Sequence, residues 1–128
     1  MSRDSSAEFS FATDQPLCAV TFIWDYYQLL IGTFMFSIYS HPRVQKGGEV
    51  LGKDDARFRD SLCAQIGSNV VNTSYSKDEL ILCFSNDVRI IISLRKADRV
   101  GDGPESLEVS DSTGSFIVEG DSSPAPAT

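Results

Sequence analysis

The stretch AVTFIWDYYQLLI, residues 19–31, is followed 51 residues later by VVNTSYSKDELIL, residues 70–82, which has a similar pattern. Each stretch begins with a run of branched or aromatic residues, turns, and continues into a second apolar run. This order is typical of two strands joined as a hairpin. The similarity predicts two related strand-turn-strand units that share one sheet.

After the first strand-turn-strand unit the sequence changes from apolar to polar. Its apolar run continues to residue 39, and Gly32 interrupts it, which indicates either one bent strand or two short strands. Residues 40–53 are polar and contain proline and glycine, so they are expected to form a connecting loop.

One amphipathic helix is predicted next. The acidic pair at residues 54–55 offers an N-cap, and Phe58, Leu62 and Ile66 recur at helical spacing before Gly67. If these three side chains are buried, each contributes roughly 1.5–3 kcal/mol, so the helix is expected to pack on the sheet.

The second unit predicts a meander of three strands followed by two short strands, at residues 70–75, 79–84, 88–94, 105–109 and 115–119. Apolar and polar residues alternate in the third strand, as in a strand with one face in water. Ile91 breaks this alternation, and Leu30 and Met35 also fall on the face opposite the core. A helix or a second subunit is expected to cover part of that face, which makes a homodimer a hypothesis.

Together these elements predict an α+β domain with a mainly antiparallel sheet of six to seven strands, built from two related meanders with one packed helix between them. The 128 residues suffice for one domain with its own core. We expect that domain over residues 15–120, with a mobile N-terminus over residues 1–14 and a disordered tail over residues 121–128.

The composition favours a cytoplasmic protein without membrane contact. The longest apolar stretch is well short of the roughly 20 residues that cross a bilayer, and the polar start of the chain does not fit a secretory signal. Cys18, Cys63 and Cys83 lie among apolar neighbours without short spacing, so we interpret them as reduced and mostly buried thiols. One bridged pair in an oxidising compartment is the alternative.

The formal net charge of −7 is concentrated at the C-terminal end. Residues 1–96 carry 11 acids and 10 bases, whereas residues 97–128 carry 7 acids and one base, Arg99. Because an acidic surface repels phosphate, we expect no nucleic-acid partner and favour a basic protein partner. Solubility alone is the alternative explanation of this charge.

Aromatic residues concentrate around the first hairpin and are the one cluster that predicts a recognition surface. Phe34 and Phe36 alternate as core residues do. Trp24, Tyr26 and Tyr27, called the aromatic edge below, lie at the expected turn, where burial is harder. We assign the aromatic edge as binding residues.

The other chemistry-bearing residues do not form a catalytic set. Glu105 begins a predicted strand and has no acid or histidine partner at a recognisable spacing, so a structural role is favoured over a catalytic one. Glu105 remains a candidate binding residue. Asp111, in the acidic C-terminal region, is a further candidate binding residue. His41 precedes a proline in a polar loop, which favours an exposed turn residue over a general base. The spacing of His, Cys and Asp matches no metal motif, so we expect no metal, no cofactor and no catalytic residue.

The second half of the chain carries a resemblance. ELILCFSND, residues 79–87, leads into VRIII, residues 88–92, and later into GPESL, residues 103–107. This succession, within residues 67–119, resembles uncharacterised small bacterial β-rich domains, some of which look like the immunity proteins encoded beside polymorphic toxins. The resemblance implies a β-rich inhibitor of another protein and carries over no catalytic residue.

We therefore expect a non-enzymatic domain that binds a basic protein, such as a toxin or nuclease, through the aromatic edge and the acidic C-terminal region. The alternative is a small-molecule binder or modest enzyme with a pocket between helix and sheet, using Glu105, His41 or Asp25. A structural subunit of a larger assembly is a third hypothesis.

Overall fold

The computed structural model describes residues 5–100, 106–111 and 113–118. This part of the chain contains ten β-strands, one α-helix and two 3-10 segments. The strands are β1 (Leu17–Ile23), β2 (Tyr26–Ile31), β3 (Phe34–Ile38), β4 (Arg43–Lys46), β5 (Glu49–Leu51), β6 (Val70–Tyr75), β7 (Glu79–Phe84), β8 (Val88–Ser93), β9 (Leu107–Asp111) and β10 (Gly114–Val118). The helix α1 covers Phe58–Cys63, and the 3-10 segments cover Ser5–Ala12 and Lys96–Asp98.

The strands form two five-stranded sheets, and every strand pairing is antiparallel. The first sheet has the order β1-β2-β3-β9-β10, and the second has the order β5-β4-β8-β7-β6. Antiparallel pairing and a helix between two meanders are confirmed. The expectation of one sheet with six to seven strands is wrong, because the two strand-turn-strand units lie in different sheets.

The two halves of the chain exchange hairpins. The first half places β1, β2 and β3 in the first sheet and then crosses over, so that the hairpin β4–β5 pairs with β8 in the second sheet. The second half places β6, β7 and β8 in the second sheet, and its hairpin β9–β10 pairs with β3 in the first. Each half therefore completes the sheet of the other half.

The two meanders agree in detail. Leu17 pairs with Ile31 at the start of β1, and a β-bulge follows at once; Val70 pairs with Phe84 at the start of β6, and a bulge follows at the same place. Structurally equivalent residues are thus 53 positions apart in these strands, whereas the pattern of the sequence suggested 51. The two meanders are therefore a structural repeat, and the bulge at the same place in β1 and β6 defines which residues are equivalent.

The turn between β2 and β3 explains the glycine in the first apolar run. Gly32 has φ +61°, and a Cβ atom there would approach Oε1 of Gln15 to 2.5 Å. A glycine at the first position of a two-residue turn suits a tight hairpin. The run is therefore two strands and not one bent strand. The equivalent turn after β7 has three residues and ends at Asp87, whose φ is +70°.

One hydrophobic core lies between the two sheets and receives side chains from both. Its fully buried members from the strands include Leu17, Leu29, Phe36, Val44, Leu82, Ile90, Ile92 and Leu107. Along β2 and β7 the buried side chains alternate with half-buried neighbours, so one face of each strand points into the core.

The N-terminal segment packs into the core before residue 15, where the sequence predicted the domain to begin. Phe9 is 1% exposed, and its ring centroid lies 5.0 Å from that of Tyr75 and 6.2 Å from that of Phe36. Ala12 is fully buried, and the N–H of Asp14 donates to the carbonyl oxygen of Val70. The predicted mobility of residues 1–4 and of the tail at 121–128 falls outside the described residues.

The helix is shorter than predicted. Phe58 and Leu62 are buried as expected, whereas Ile66 is 46% exposed because α1 ends at Cys63 and the chain turns before Gly67. The expected acidic N-cap is also different: the cap position is Arg57, and Asp55 Oδ1 accepts the backbone N–H of Arg57 at 2.8 Å. Asp55 thus orders the turn that leads into the helix.

The predicted connecting loop at residues 40–53 contains the hairpin β4–β5. Val44 and Leu51 are buried, and most of the other side chains of these short strands are exposed. Each strand therefore offers a single inward residue, which is too little alternation to detect in the sequence.

The residues expected on one outer face are divided between the two sheets. Leu30 and Met35 pair on the outer face of the first sheet and are half-buried. Ile91 lies in the second sheet between Arg43 and Ile81 of the neighbouring strands, which leaves it 8% exposed. The helix α1 contributes to the inner core and contacts β1 and β4.

The cysteines are more accessible than expected. Cys18 lies at the bulge of β1 and Cys63 at the end of α1, and both are exposed, while Cys83 is half-buried. All three are free thiols. The interpretation as mostly buried thiols is therefore wrong, because a bulge residue and a helix-end residue point away from the core.

Replacing Phe9 by alanine should lower the free energy of unfolding by about 3–5 kcal/mol, because it removes a buried ring from the core. The matched control is Ile66→Ala, which should change that energy by no more than about 0.5 kcal/mol. Urea unfolding followed by circular dichroism measures both values. Equal losses of unfolding free energy in the two variants would show that the N-terminal segment does not belong to the core.

The exchange of hairpins predicts that the two halves stay together after a cut. A protease site inserted between Lys53 and Asp54 separates the chain between β5 and α1. We expect the cleaved halves to co-elute in gel filtration without denaturant and to separate in urea, because each sheet contains strands of both halves. Separation without denaturant would contradict the exchange.

Candidate functional site

Trp24 is the most exposed large apolar side chain among the described residues. It occupies the turn between β1 and β2 with Asp25, and 99% of its surface is accessible. Burial stabilises a fold in proportion to the apolar area removed from water, so this indole contributes almost nothing to the core. Tryptophan is also not a residue that a tight turn requires. The fold therefore does not account for Trp24.

The two tyrosines of the aromatic edge point in opposite directions, because they are neighbours on β2. Tyr26 stacks on Tyr39 with a centroid distance of 5.2 Å and an interplanar angle of 30°. Tyr27 turns inward, where its ring meets Phe22 at 5.8 Å and Phe58 at 6.2 Å, both edge-on. Both tyrosines are half-buried, so the prediction that they are hard to bury applies fully only to Trp24.

A cleft of about 240 Å³ lies where the β1–β2 hairpin meets the segment before β4 and the segment after β5. The aromatic edge forms one side of the cleft. The loop after β3 and the approach to α1 form a second side, and the start of α1 forms a third. The lining residues are Phe22, Ile23, Trp24, Tyr26, Tyr27, His41, Lys53, Asp54, Phe58 and Arg59. A second cleft of about 280 Å³ adjoins it and shares His41, Lys53 and Asp54.

Two cations line this cleft. The guanidinium carbon of Arg59 lies 5.1 Å from the centre of the Phe22 ring, a cation–π contact. Lys53 Nζ lies 3.1 Å from Oδ1 of the exposed Asp54. Within the described part of the chain Arg59 forms no ion pair. The sequence did not reveal these cations, because only the fold brings them to the aromatic edge.

His41 and Tyr27, which both line the cleft, form a hydrogen-bonded pair. The Tyr27 hydroxyl lies 2.9 Å from His41 Nδ1. Burial raises the pKa of Tyr27 above its ordinary value, with Arg59 and Lys53 opposing the rise. Burial, followed by the positive charge of Lys53, lowers the pKa of His41 below 6.5 against the opposing charge of Asp54. Both groups are therefore neutral at pH 7. His41 is exposed as expected, but its partner Tyr27 was not foreseen.

The approach to α1 is held by a small network of charges. Arg57 donates to Asp55 Oδ2 at 3.0 Å and to Glu49 Oε1 at 3.1 Å. The hydrogen bond from Arg57 lowers the pKa of Asp55, and Asp55 in turn raises the pKa of Arg57. These groups are in water, so their energetic contribution is small. Their effect is to connect β5 with the residues that line the cleft.

Asp111, another predicted site residue, does not join the cleft. Asp111 Oδ1 accepts the N–H of Thr113 at 2.8 Å, its hydroxyl at 2.7 Å and the N–H of Gly114 at 3.1 Å. These bonds, first of all the one from the Thr113 hydroxyl, lower the pKa of Asp111. Asp111 thus orders the β9–β10 turn, beside Ser110, which pairs with Met35 at the end of the first sheet away from Trp24.

Glu105 lies outside the described residues. Asp25 shares the turn with Trp24 and is exposed. Across residues 5–100, 106–111 and 113–118, no three His, Cys, Asp or Glu side chains converge as metal ligands would. Over the same residues, no helix has the length and hydrophobicity needed to cross a bilayer.

Comparison of the chain with protein-family models, with curated proteins and with solved structures finds no match. The function of the chain is therefore inferred from the geometry and chemistry of the cleft.

The only histidine gives a direct test of the electrostatics, because its ring protons are a unique NMR signal. We expect His41 to titrate below 6.5. Lys53→Gln should raise the pKa of His41, because a nearby positive charge is lost, and Asp54→Asn should lower it, because a negative charge is lost. A wild-type midpoint at or above 6.5 would contradict the environment described.

Proposed function

We propose that this chain is a non-enzymatic protein-binding domain whose contact surface is centred on Trp24. The observation that carries the proposal is a tryptophan 99% exposed at a hairpin turn, beside two tyrosines and an arginine. Tryptophan, tyrosine and arginine are the residues enriched at binding hot spots. The cost of exposing the indole to water is recovered if a partner buries it.

The residues around Trp24 support it as an anchor. The stacking of Tyr26 on Tyr39 and the hydrogen bond between Tyr27 and His41 hold β2 of the hairpin against the segment that follows β3. A surface that is ordered before binding loses less conformational entropy when the partner arrives. The contact surface therefore needs little rearrangement.

The chemistry of the cleft favours binding over catalysis. A nucleophile requires a lowered pKa or a neighbouring base that an additional group orients. Burial raises the pKa of Tyr27, and among the described residues no second hydrogen bond orients the His41 ring as a base. The pair orders the site and does not activate the hydroxyl.

The net charge of −7 favours a basic partner, because opposite charges accelerate association. An inhibitor of a basic toxin or nuclease in the bacterial cytoplasm is the particular form of this function that the resemblance implies. A second copy of the chain is a further candidate partner, since Leu30 and Met35 are only half-buried on the outer face of the first sheet.

A small-molecule binder is the second candidate, favoured by the position of the cleft between the start of α1 and the β1–β2 hairpin. The volume of about 240 Å³ is below the roughly 300–1,000 Å³ of ordinary ligand pockets. The protein-binding function is therefore placed first.

Trp24→Ala tests the proposal. The purified full chain is used to capture proteins from a lysate, and the variant should weaken capture of the specific partner about 30-fold, which corresponds to a hot-spot loss of about 2 kcal/mol. The variant should leave the urea midpoint unchanged, since the indole is 99% exposed. Val50→Ala, at an exposed apolar residue of β5, is the matched control and should not affect capture.

Capture that is equal for wild type and Trp24→Ala would overturn the proposed surface. Repeating the capture at low and high salt tests the nature of the partner separately. Loss of a basic protein at high salt would support charge complementarity, and capture that is independent of salt would reject it without affecting the role of Trp24.

A further inference from the structure

The cleft beside Trp24 has the opposite charge balance to the rest of the chain. Lys53 and Arg59 line it against the single carboxylate of Asp54, whereas the whole chain carries a net charge of −7. The nearest histidine is neutral at pH 7 and adds no charge. A small positive site thus lies within an acidic protein.

Arg59 is the group in this site that is available for a new ion pair. The exposed Arg57 already contacts two carboxylates, those of Asp55 and Glu49. Arg59 contacts none in the described part of the chain, and the Phe22 ring holds its guanidinium at the cleft. A guanidinium fixed in this way can donate two parallel hydrogen bonds to a carboxylate.

The pair of Tyr27 and His41 in the lining of the cleft supplies one more donor. If the Tyr27 hydroxyl donates to Nδ1 of His41, the Nε2–H of the ring remains free; if Nδ1–H donates, the hydroxyl proton remains free. In either arrangement the neutral pair keeps one N–H or O–H for a ligand. A carboxylate oxygen accepts such a bond, whereas a cationic side chain cannot.

We propose that the cleft binds a carboxylate side chain of the partner protein, next to an apolar residue that packs on Trp24. The carboxylate pairs with Arg59, and the aromatic side chains receive the apolar neighbour. This inference rests on the proposed protein-binding function and deepens it. Long-range attraction still comes from the acidic surface and a basic partner, while one acidic residue of that partner fixes the register of docking.

A different cleft provides the control. It has a volume of about 510 Å³ and lies beside the β4–β5 and β7–β8 turns, where Lys46 and Arg89 accompany Asp87. This cleft also has two cations and one carboxylate, but it has no aromatic lining residue. Arg89→Gln therefore removes the same charge from the protein as Arg59→Gln, away from Trp24.

The experiment is a selection of random peptides displayed on phage against the full chain, with each selected peptide then titrated in solution. The fluorescence of Trp24 reports binding at the site, because it is the only tryptophan. We expect the selected peptides to share an Asp or Glu beside an apolar residue. Arg59→Gln, and replacement of the peptide Glu by Gln, should each weaken binding about tenfold or more. Arg89→Gln should weaken it less than twofold.

The outcomes separate the inference from the function on which it rests. Peptides that depend on Trp24 but contain no shared acid, or that bind Arg59→Gln as well as wild type, would reject the carboxylate site and leave the proposed function intact. Equal losses in Arg59→Gln and Arg89→Gln would show a general charge effect and also reject it. Failure to select any peptide that depends on Trp24 would count against both.

Discussion

The exchange of hairpins between the two sheets is the constraint on which the rest of the structure depends. The meander β1–β3 does not complete its own sheet, because its neighbour beyond β3 is β9, from the other half of the chain. Val109 of β9 pairs with Phe36, and Val44 of β4 pairs with Ile90, so buried side chains meet across the halves. One core therefore requires both halves. Contacts this distant in sequence cost loop-closure entropy before any burial offsets it.

The same exchange builds the cleft. To reach the second sheet, the chain leaves β3 past the end of the β1–β2 hairpin, which places His41 against Tyr27. To return from β5 to β6, the chain passes the hairpin again, and this passage supplies Lys53, Phe58 and Arg59. The site is formed by two crossings that the fold needs for its topology. No segment of the sequence contains it alone.

The sequence predicted what depends on local pattern. Runs of branched, aromatic and other apolar residues between turns located β1, β2, β3, β6, β7 and β8, and turn position predicted the exposure of Trp24. The sequence could not predict that β9 pairs with β3, because the residue pattern of a strand does not specify which strand lies beside it in the sheet. The burial of Phe9 was missed because its short 3-10 segment has no apolar periodicity. Ile66 was predicted to be buried because it continues the helical spacing of Phe58 and Leu62, but α1 ends at Cys63. The cations of the cleft were missed because they join the aromatic edge only in three dimensions.

The repeat within the chain separates what the fold requires from what it does not. Tyr75 and Leu80 pair in the second meander as Phe22 and Tyr27 pair in the first, so the two hairpin ends are equivalent. The second end closes with the polar loop at residues 76–78, in which the N–H of Ser76 donates to the carbonyl oxygen of Glu79. There the buried ring of Phe9 packs on Tyr75. The same hairpin geometry thus forms without an exposed tryptophan. Folding therefore does not explain the indole of Trp24, and the contact surface that we propose rests on this difference between the two hairpins.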